Sequence, residues 1–392
     1  MRKSALFGFG LVVAVLVALG LVILSSASEA NAMRLHGDAY FFMKRQFMYF
    51  GAGLLVAALA AWIDYRVWRE HWALAVFFYI VVFVLLWGVF GFRPINGSYR
   101  WIALGPLRLQ PSEFAKPAIV ILLAAWLDIA GWRVELFMRG AFWPAVLIGV
   151  LAFPILLEPD FGSVMVVALS GFLIMFVAGV RVLHFLPFVL AGFGVVAYKV
   201  MTNANRMARL ASFTGGFANG AGGAELDEAA KRTAYQLHHA LIAIKNGGIW
   251  GVGLNQSMQK HYYLPENHTD FIFAIGAEEL GLFFSLSVIL LFLAFFGFAV
   301  YIAAKASDRF GRYLVMGMAF IIFFQAMFNI GVVSGALPTK GMALPFFSYG
   351  GTNLISAFFA VGTILSVGIH SYRDRKREAI RPAGALRVTR HG

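Results

Sequence analysis

Ten stretches of this chain, at about 5–25, 46–63, 72–92, 113–130, 141–157, 162–179, 182–200, 270–303, 312–334 and 349–371, are apolar, nearly uncharged and close to the length that crosses a bilayer. A backbone in lipid has to satisfy its own hydrogen bonds, so such stretches cross as helices. The sequence therefore predicts an all-α fold, a polytopic membrane protein of about ten transmembrane helices with a large extracytoplasmic loop between helices 7 and 8. Residues 1–372 read as one membrane domain, with 201–269 as the large loop, and 373–392 as a basic cytoplasmic tail that lies disordered on anionic lipid. Composition agrees, since 60% of the 392 residues are hydrophobic and only 13% are charged, which excludes a soluble globular domain.

Orientation follows from Lys and Arg. With the long loop set aside, 17 fall on the side of the N-terminus and 8 on the other, so both termini are expected in the cytoplasm. Arg2 and Lys3 precede the first apolar run, and Ala30-Asn31-Ala32 resembles a cleavage site, but a run this long before further spans favours an uncleaved anchor. Cysteine is absent, which removes disulfides and thiolate metal sites. The net charge of +13 is scattered through short loops, which suits anionic headgroups or a phosphorylated lipid and not nucleic acid.

Chemistry-bearing residues gather on the side opposite the termini. In His261 to Gly281, His268, Asp270, Glu278 and Glu279 stand at the threshold of an uncharged segment. If Thr269 or Asp270 caps a helix there, the two glutamates lie roughly 12–14 Å deeper into the bilayer. Ionisable groups at such depth are costly and read as functional. Asn96 to Lys116 delivers Arg100, Gln110, Glu113 and Lys116 to the same face, with Glu113 and Lys116 at i,i+3; a structural ion pair is an equal reading. Glu158-Pro159-Asp160-Phe161-Gly162-Ser163 breaks one span and opens the next, where Asp160 serves equally as a helix cap. Pro338 to Asn353, with Lys340 and Ser348, reads as a loop re-entering the bilayer, tolerated where it lines a cavity. Glu225 to Asn246 reads as a helix on the outer interface. Its adjacent His238 and His239 point about 100° apart and make a poor zinc pair.

Carboxylates at Glu113, Asp160 and Asp270 and cations at Arg100, Lys116, Lys260 and Lys340 beside a membrane-level cavity suit a lipid with a charged head. Group transfer from a lipid diphosphate needs a base for the acceptor hydroxyl and positive charge for the leaving group. The residues alone lead no further, and a transporter or flippase of the same lipid would use similar parts.

The strings Arg100-Trp101-Ile102, Gln110-Pro111-Ser112-Glu113 with Lys116, Pro159-Asp160-Phe161-Gly162, Gln259-Lys260, Leu264-Pro265-Glu266, His268 to Ala274, Glu278 to Gly281 and Ser348 to Gly351 resemble, in order, the SEDS (shape, elongation, division and sporulation) family. Asn255 to Lys260 and Leu337 to Gly341 look more like its division branch than its elongation branch. The resemblance implies a ten-span peptidoglycan glycosyltransferase that polymerises lipid II at the outer face of the bacterial inner membrane. It implies a class B penicillin-binding protein as partner, alongside other divisome or elongasome membrane proteins. Asp270 falls on the family's essential acid and would be the general base on the acceptor's GlcNAc 4-hydroxyl, which displaces undecaprenyl diphosphate from the MurNAc donor with inversion. Arg100, Lys116 and Lys340 would contact diphosphate, and Lys260, His268 and Ser348 would join the substrate site. Glu113, Asp160 and Glu279 would order the cavity or help hold a divalent cation, Mg²⁺ or Mn²⁺; no organic cofactor is implied. The chain departs from the family pattern at Glu158, where Gln is commoner, at Phe161, where Leu is, and at Thr352-Asn353, where small Ser residues are frequent.

Overall fold

The computed structural model describes residues 3–93, 98–104, 107–158, 160–201, 228–262, 268–338 and 341–380. Eleven helices of fifteen residues or more account for most of them. These are α1 (Lys3–His36), α2 (Phe41–Trp62), α3 (Trp72–Gly88), α4 (Pro111–Ala130), α5 (Trp143–Leu157), α6 (Phe161–Val177), α7 (Leu186–Met201), α8 (Glu228–Gly247), α9 (Ile272–Ala304), α10 (Arg309–Val333) and α11 (Gly351–Ile380). All ten expected spans appear as helices, and α8 is the eleventh. Among the described residues, seven helical segments are long and apolar enough to cross a membrane on length and composition alone. Among the others are α2, which opens with Lys44 and Arg45, and the shorter α6 and α7.

The core is a mutual packing of α4, α6 and α10, flanked by the pairs α2–α11 and α1–α9. The Lys3 ammonium lies 5.9 Å from the ring centroid of Tyr372, so the two ends of the described chain share one end of the bundle. At that terminal end Asp308 caps α10 and accepts from Tyr65 Oη at 2.8 Å and Arg66 Nε at 3.2 Å, while Arg66 also pairs with Asp374 on α11. Helix α11 thus continues through residues 373–380 of the expected disordered tail, because its charged turns find partners there.

Helices α1 and α9 have 34 and 33 residues. At 1.5 Å per residue each is about 50 Å long, against a hydrocarbon core of about 30 Å. Counted from Ala304, beside Lys305 and Asp308, about 20 residues reach Phe284. Both helices therefore exceed the length that crossing the hydrocarbon core requires, and Glu278 and Glu279 stand within the first nine residues of α9. The helix cap is Phe271, not Thr269 or Asp270.

Two further features bear on the site. Residues 102–104 (β1) and 107–109 (β2) form an antiparallel ribbon, with Ile102 opposite Leu109 and Ala103 opposite Arg108. Helix α8 covers most of the helix expected over Glu225 to Asn246. It packs along α9 through buried Leu237, Ala240 and Ala243 and ends at Gly247 against the Ala277 carbonyl.

Candidate functional site

Asp270 occupies a turn at residues 268–270, just ahead of α9, and is half-buried. Three contacts fix that turn. Asn329 Nδ2 donates to the Asp270 carbonyl at 2.8 Å, Ser348 Oγ to the Thr269 carbonyl at 2.6 Å, and the Tyr349 amide to the His268 carbonyl at 2.9 Å. The carboxylate faces Gly341 so closely that a methyl group there would collide with Oδ2. Only glycine fits.

The irregular segment 341–350 packs against this turn, and α10 satisfies part of its backbone. Asn329 Nδ2 also donates to the Met342 carbonyl at 2.6 Å, and Gln325 Nε2 to the Ala343 carbonyl at 3.0 Å. The Leu344 amide donates to Ser348 Oγ at 2.7 Å. Buried backbone outside regular structure needs such partners, and here two amides one helical turn apart supply them.

Asp160 approaches the same segment from the other side. It caps α6, accepting from the Ser163 amide at 3.3 Å and Ser163 Oγ at 2.7 Å. Gly162, on the first turn of α6, abuts Met342 and the Gly341 carbonyl. Residues 341–342 are therefore lined by Asp270 on one flank and the Asp160–Ser163 turn on the other.

Glu113 and Lys116 form a buried ion pair at 2.7 Å. Lys116 Nζ also donates to Gln325 Oε1 at 3.0 Å, Asn353 Nδ2 to Glu113 Oε2 at 3.1 Å, and Ser356 Oγ to the Glu113 carbonyl at 2.9 Å. Thr352 Oγ1 accepts from the Gln110 amide and donates to the Arg108 carbonyl, pinning β2 to α11. Both departures from the family pattern at 352–353 therefore carry contacts. Glu113, Gln325, Asn353 and Ser356 share the lining of a small, mostly apolar cavity with Ile321 and Ile322.

Arg100 Nε and Ser98 Oγ donate to the Glu158 carbonyl at 3.2 and 3.3 Å. The Glu158 side chain is fully buried, with no hydrogen-bond partner for either oxygen among the described residues. Burial and nearby Asp160 push its pKa up to about 8, against a smaller opposing effect of Arg100.

Lys260 and Glu279 pair with each other at 3.0 Å, both side chains fully buried. Ser26 of α1 donates to Glu279 at 2.5 Å and accepts from Lys260 at 2.8 Å. His268 clusters with Phe42 and Tyr349, its ring centroid 4.6 and 6.0 Å from theirs and the latter two 4.9 Å apart. Lys340 lies outside the described residues.

Of the sequence candidates, Asp270, Asp160, His268 and Ser348 gather around residues 341–349. Glu113 and Lys116 connect to them through Gln325, and Arg100 through the Glu158–Asp160 turn. Lys260 and Glu279 sit at the far end of α9's first nine residues. Sequence reasoning passed over Gln325 and Asn329, whose signal is two amides at i,i+4 within an uncharged apolar span. Among the described residues, no group of three or more His, Asp or Glu side chains is placed to hold a metal ion.

A helical membrane bundle with a carboxylate-bearing turn and an irregular segment clamped at the end away from its termini defines a class of integral membrane protein with a polar site at one surface. The family model for the FtsW/RodA/SpoVE cell cycle proteins matches residues 8–373, and the chain belongs to that family. It is 37% identical over 357 residues to the probable peptidoglycan glycosyltransferase FtsW of Coxiella burnetii, covering 90% of this chain and 93% of the relative. It is equally similar, 37% over 360 residues, to the stage V sporulation protein E of Bacillus subtilis, covering 91% and 94%. Among solved structures, a peptidoglycan synthase complex that coordinates polymerization and crosslinking superposes with a TM-score of 0.74 at 27% identity, covering 94% of this chain and 98% of the other. The rod shape determining protein RodA of Thermus thermophilus gives 0.67 at 27% identity, covering 93% and 97%.

Proposed function

We propose that this chain is a peptidoglycan glycosyltransferase that polymerises lipid II at the outer face of the bacterial inner membrane, with both termini cytoplasmic and Asp270 as general base. The observation that carries the reading is Asp270 itself. Its backbone is held from α10 and from residues 348–349, and its carboxylate lies against Gly341, where a methyl group would displace it. A group fixed in this way can accept a proton from a hydroxyl in a set geometry, which is what general-base catalysis demands.

Asp270 takes the proton of the acceptor's GlcNAc 4-hydroxyl as that oxygen bonds to the anomeric carbon of the MurNAc donor. The donor's bond to diphosphate breaks with inversion, and the electron pair leaves on undecaprenyl diphosphate. Arg100, Lys116 and Lys340 are the cations assigned to that leaving group, with His268 and Ser348 as further substrate-site residues; Lys260, fully buried against Glu279, is not assigned to substrate. Lys116 already has Glu113 and Gln325 as partners, so diphosphate would compete with them for its ammonium. A divalent Mg²⁺ or Mn²⁺ fits this scheme if one or two carboxylates and the substrate's own phosphates hold it, as Mg²⁺ sites commonly do. A class B penicillin-binding protein is the proposed crosslinking partner, in keeping with the synthase complex this chain resembles. The FtsW relatives favour a role in division.

The test is glycan synthesis from labelled lipid II by the purified chain, alone and with a class B partner. Polymer under either condition supports the reading. Lipid scrambling with no polymer under both would overturn it in favour of a flippase. Chelation with EDTA should abolish turnover and added Mn²⁺ or Mg²⁺ restore it; full activity in EDTA would leave charge neutralisation to the Lys and Arg side chains.

A further inference from the structure

Helix α9 is two helices in series. Gly281, at φ 71° and ψ −158°, adopts a conformation closed to other residues and separates a nine-residue piece, Ile272 to Leu280, from the rest. A strap, residues 247–260, fills the break. The amides of Val252 and Gly253 donate to the carbonyls of Glu278 and Glu279, each at 3.0 Å, and the Leu282 amide donates to the Gly248 carbonyl. Asn246 and Ser257 add side-chain contacts to Glu278.

Asp270 stands just before the first residue of this short helix, and Glu279 lies at its other end, about 13 Å away along the axis. Glu279 is tied to two other elements at once, to the strap through Lys260 and to the outer end of α1 through Ser26. Lys260 also donates to Asn255, which in turn donates to Glu29 of α1 at 3.0 Å. Neither charge reaches solvent. A buried ion pair is a poor source of net stability, because desolvation offsets most of the attraction, so the geometry it imposes is its more telling property.

Resting on the reading of Asp270 as the base, we propose that the Lys260–Glu279–Ser26 cluster is a positioning device: it holds the short helix against α1 and the strap and thereby sets where Asp270 stands, without either charged group touching substrate. In this arrangement the pair acts on the chemical step and not on substrate binding. A displacement of about 1 Å at a reacting group can cost as much as a hundredfold in rate.

The experiment measures kcat and KM for lipid II polymerisation by the full chain in its active preparation, together with thermal midpoints, for Glu279→Gln, Lys260→Met and the double variant Glu279→Leu/Lys260→Met. Each single variant should lower kcat roughly tenfold to a hundredfold with KM within about twofold, and each should lower the thermal midpoint because it leaves one buried charge unpaired. The double variant should recover the midpoint but not kcat, since apolar side chains fill the space without fixing the helix. Recovery of both in the double variant would overturn the proposal and leave the pair as packing. Unchanged kcat in the single variants would do the same. Asp270→Asn in the same assay separates this outcome from a failure of the general-base reading, because activity in that variant would dispose of the base itself.

Discussion

Asp270 is held by its backbone and by its neighbours' backbones, which leaves its identity to chemistry and its place to Asn329, Ser348 and Tyr349. Glu158 is the opposite case, a carboxyl whose oxygens find no partner. With a pKa of about 8 in the folded protein, it binds its proton there at pH values where the unfolded chain, near 4.5, has lost it. The folded state then binds more protons between those two values, so stability falls as pH rises from about 4.5 to about 8 and levels off above. Glu158→Gln should remove this slope and raise the thermal midpoint at pH 8 more than at pH 5; equal midpoint changes at the two values would contradict it. At this scale the sequence revealed its charged residues plainly, because a carboxylate at the edge of an apolar span stands out. Gln325 and Asn329 stayed hidden. Amides add no charge to a span, and nothing in their spacing says which distant carbonyls they will meet.

The ten spans were legible from length and hydropathy, but the break in α9 was not. Gly281 lies inside an apolar run with other glycines, and only the arrival of the strap's amides at the Glu278 and Glu279 carbonyls explains it. Gly281→Ala should cost about 1–3 kcal/mol in backbone strain, with a further cost because a methyl there meets the Gly251 amide and the Ile249 carbonyl. The expected result is a thermal midpoint several degrees lower and a loss of polymerisation. A variant with an unchanged midpoint would show that the helix is continuous there. The β1–β2 ribbon escaped notice because three-residue strands are too short for alternation to register.

Across the molecule, charge separates into two ends. Near the termini, Arg66 links Asp308 and Asp374, closing the α2–α3 connection, α10 and α11 together. At the other end, α1, α6, α9, α10, α11 and the β1–β2 ribbon each send polar groups to the Asp270 turn, to the segment packed on it, or to the contacts that support them. Residues from all along the chain supply this end, from Ser26 to Ser356, so the sequence could name candidates but not assemble them. Whether the assembled end makes a glycosidic bond is decided most directly by following labelled lipid II through a single turnover with the wild-type chain and with Asp270→Asn, both checked for folding by thermal midpoint. Loss of a general base typically removes about 10²–10⁴ in rate, and a half-exposed carboxylate contributes little to stability, so polymer formation should fall by that factor with the midpoint nearly unchanged. Polymerisation at the wild-type rate by a folded Asp270→Asn protein would contradict the account.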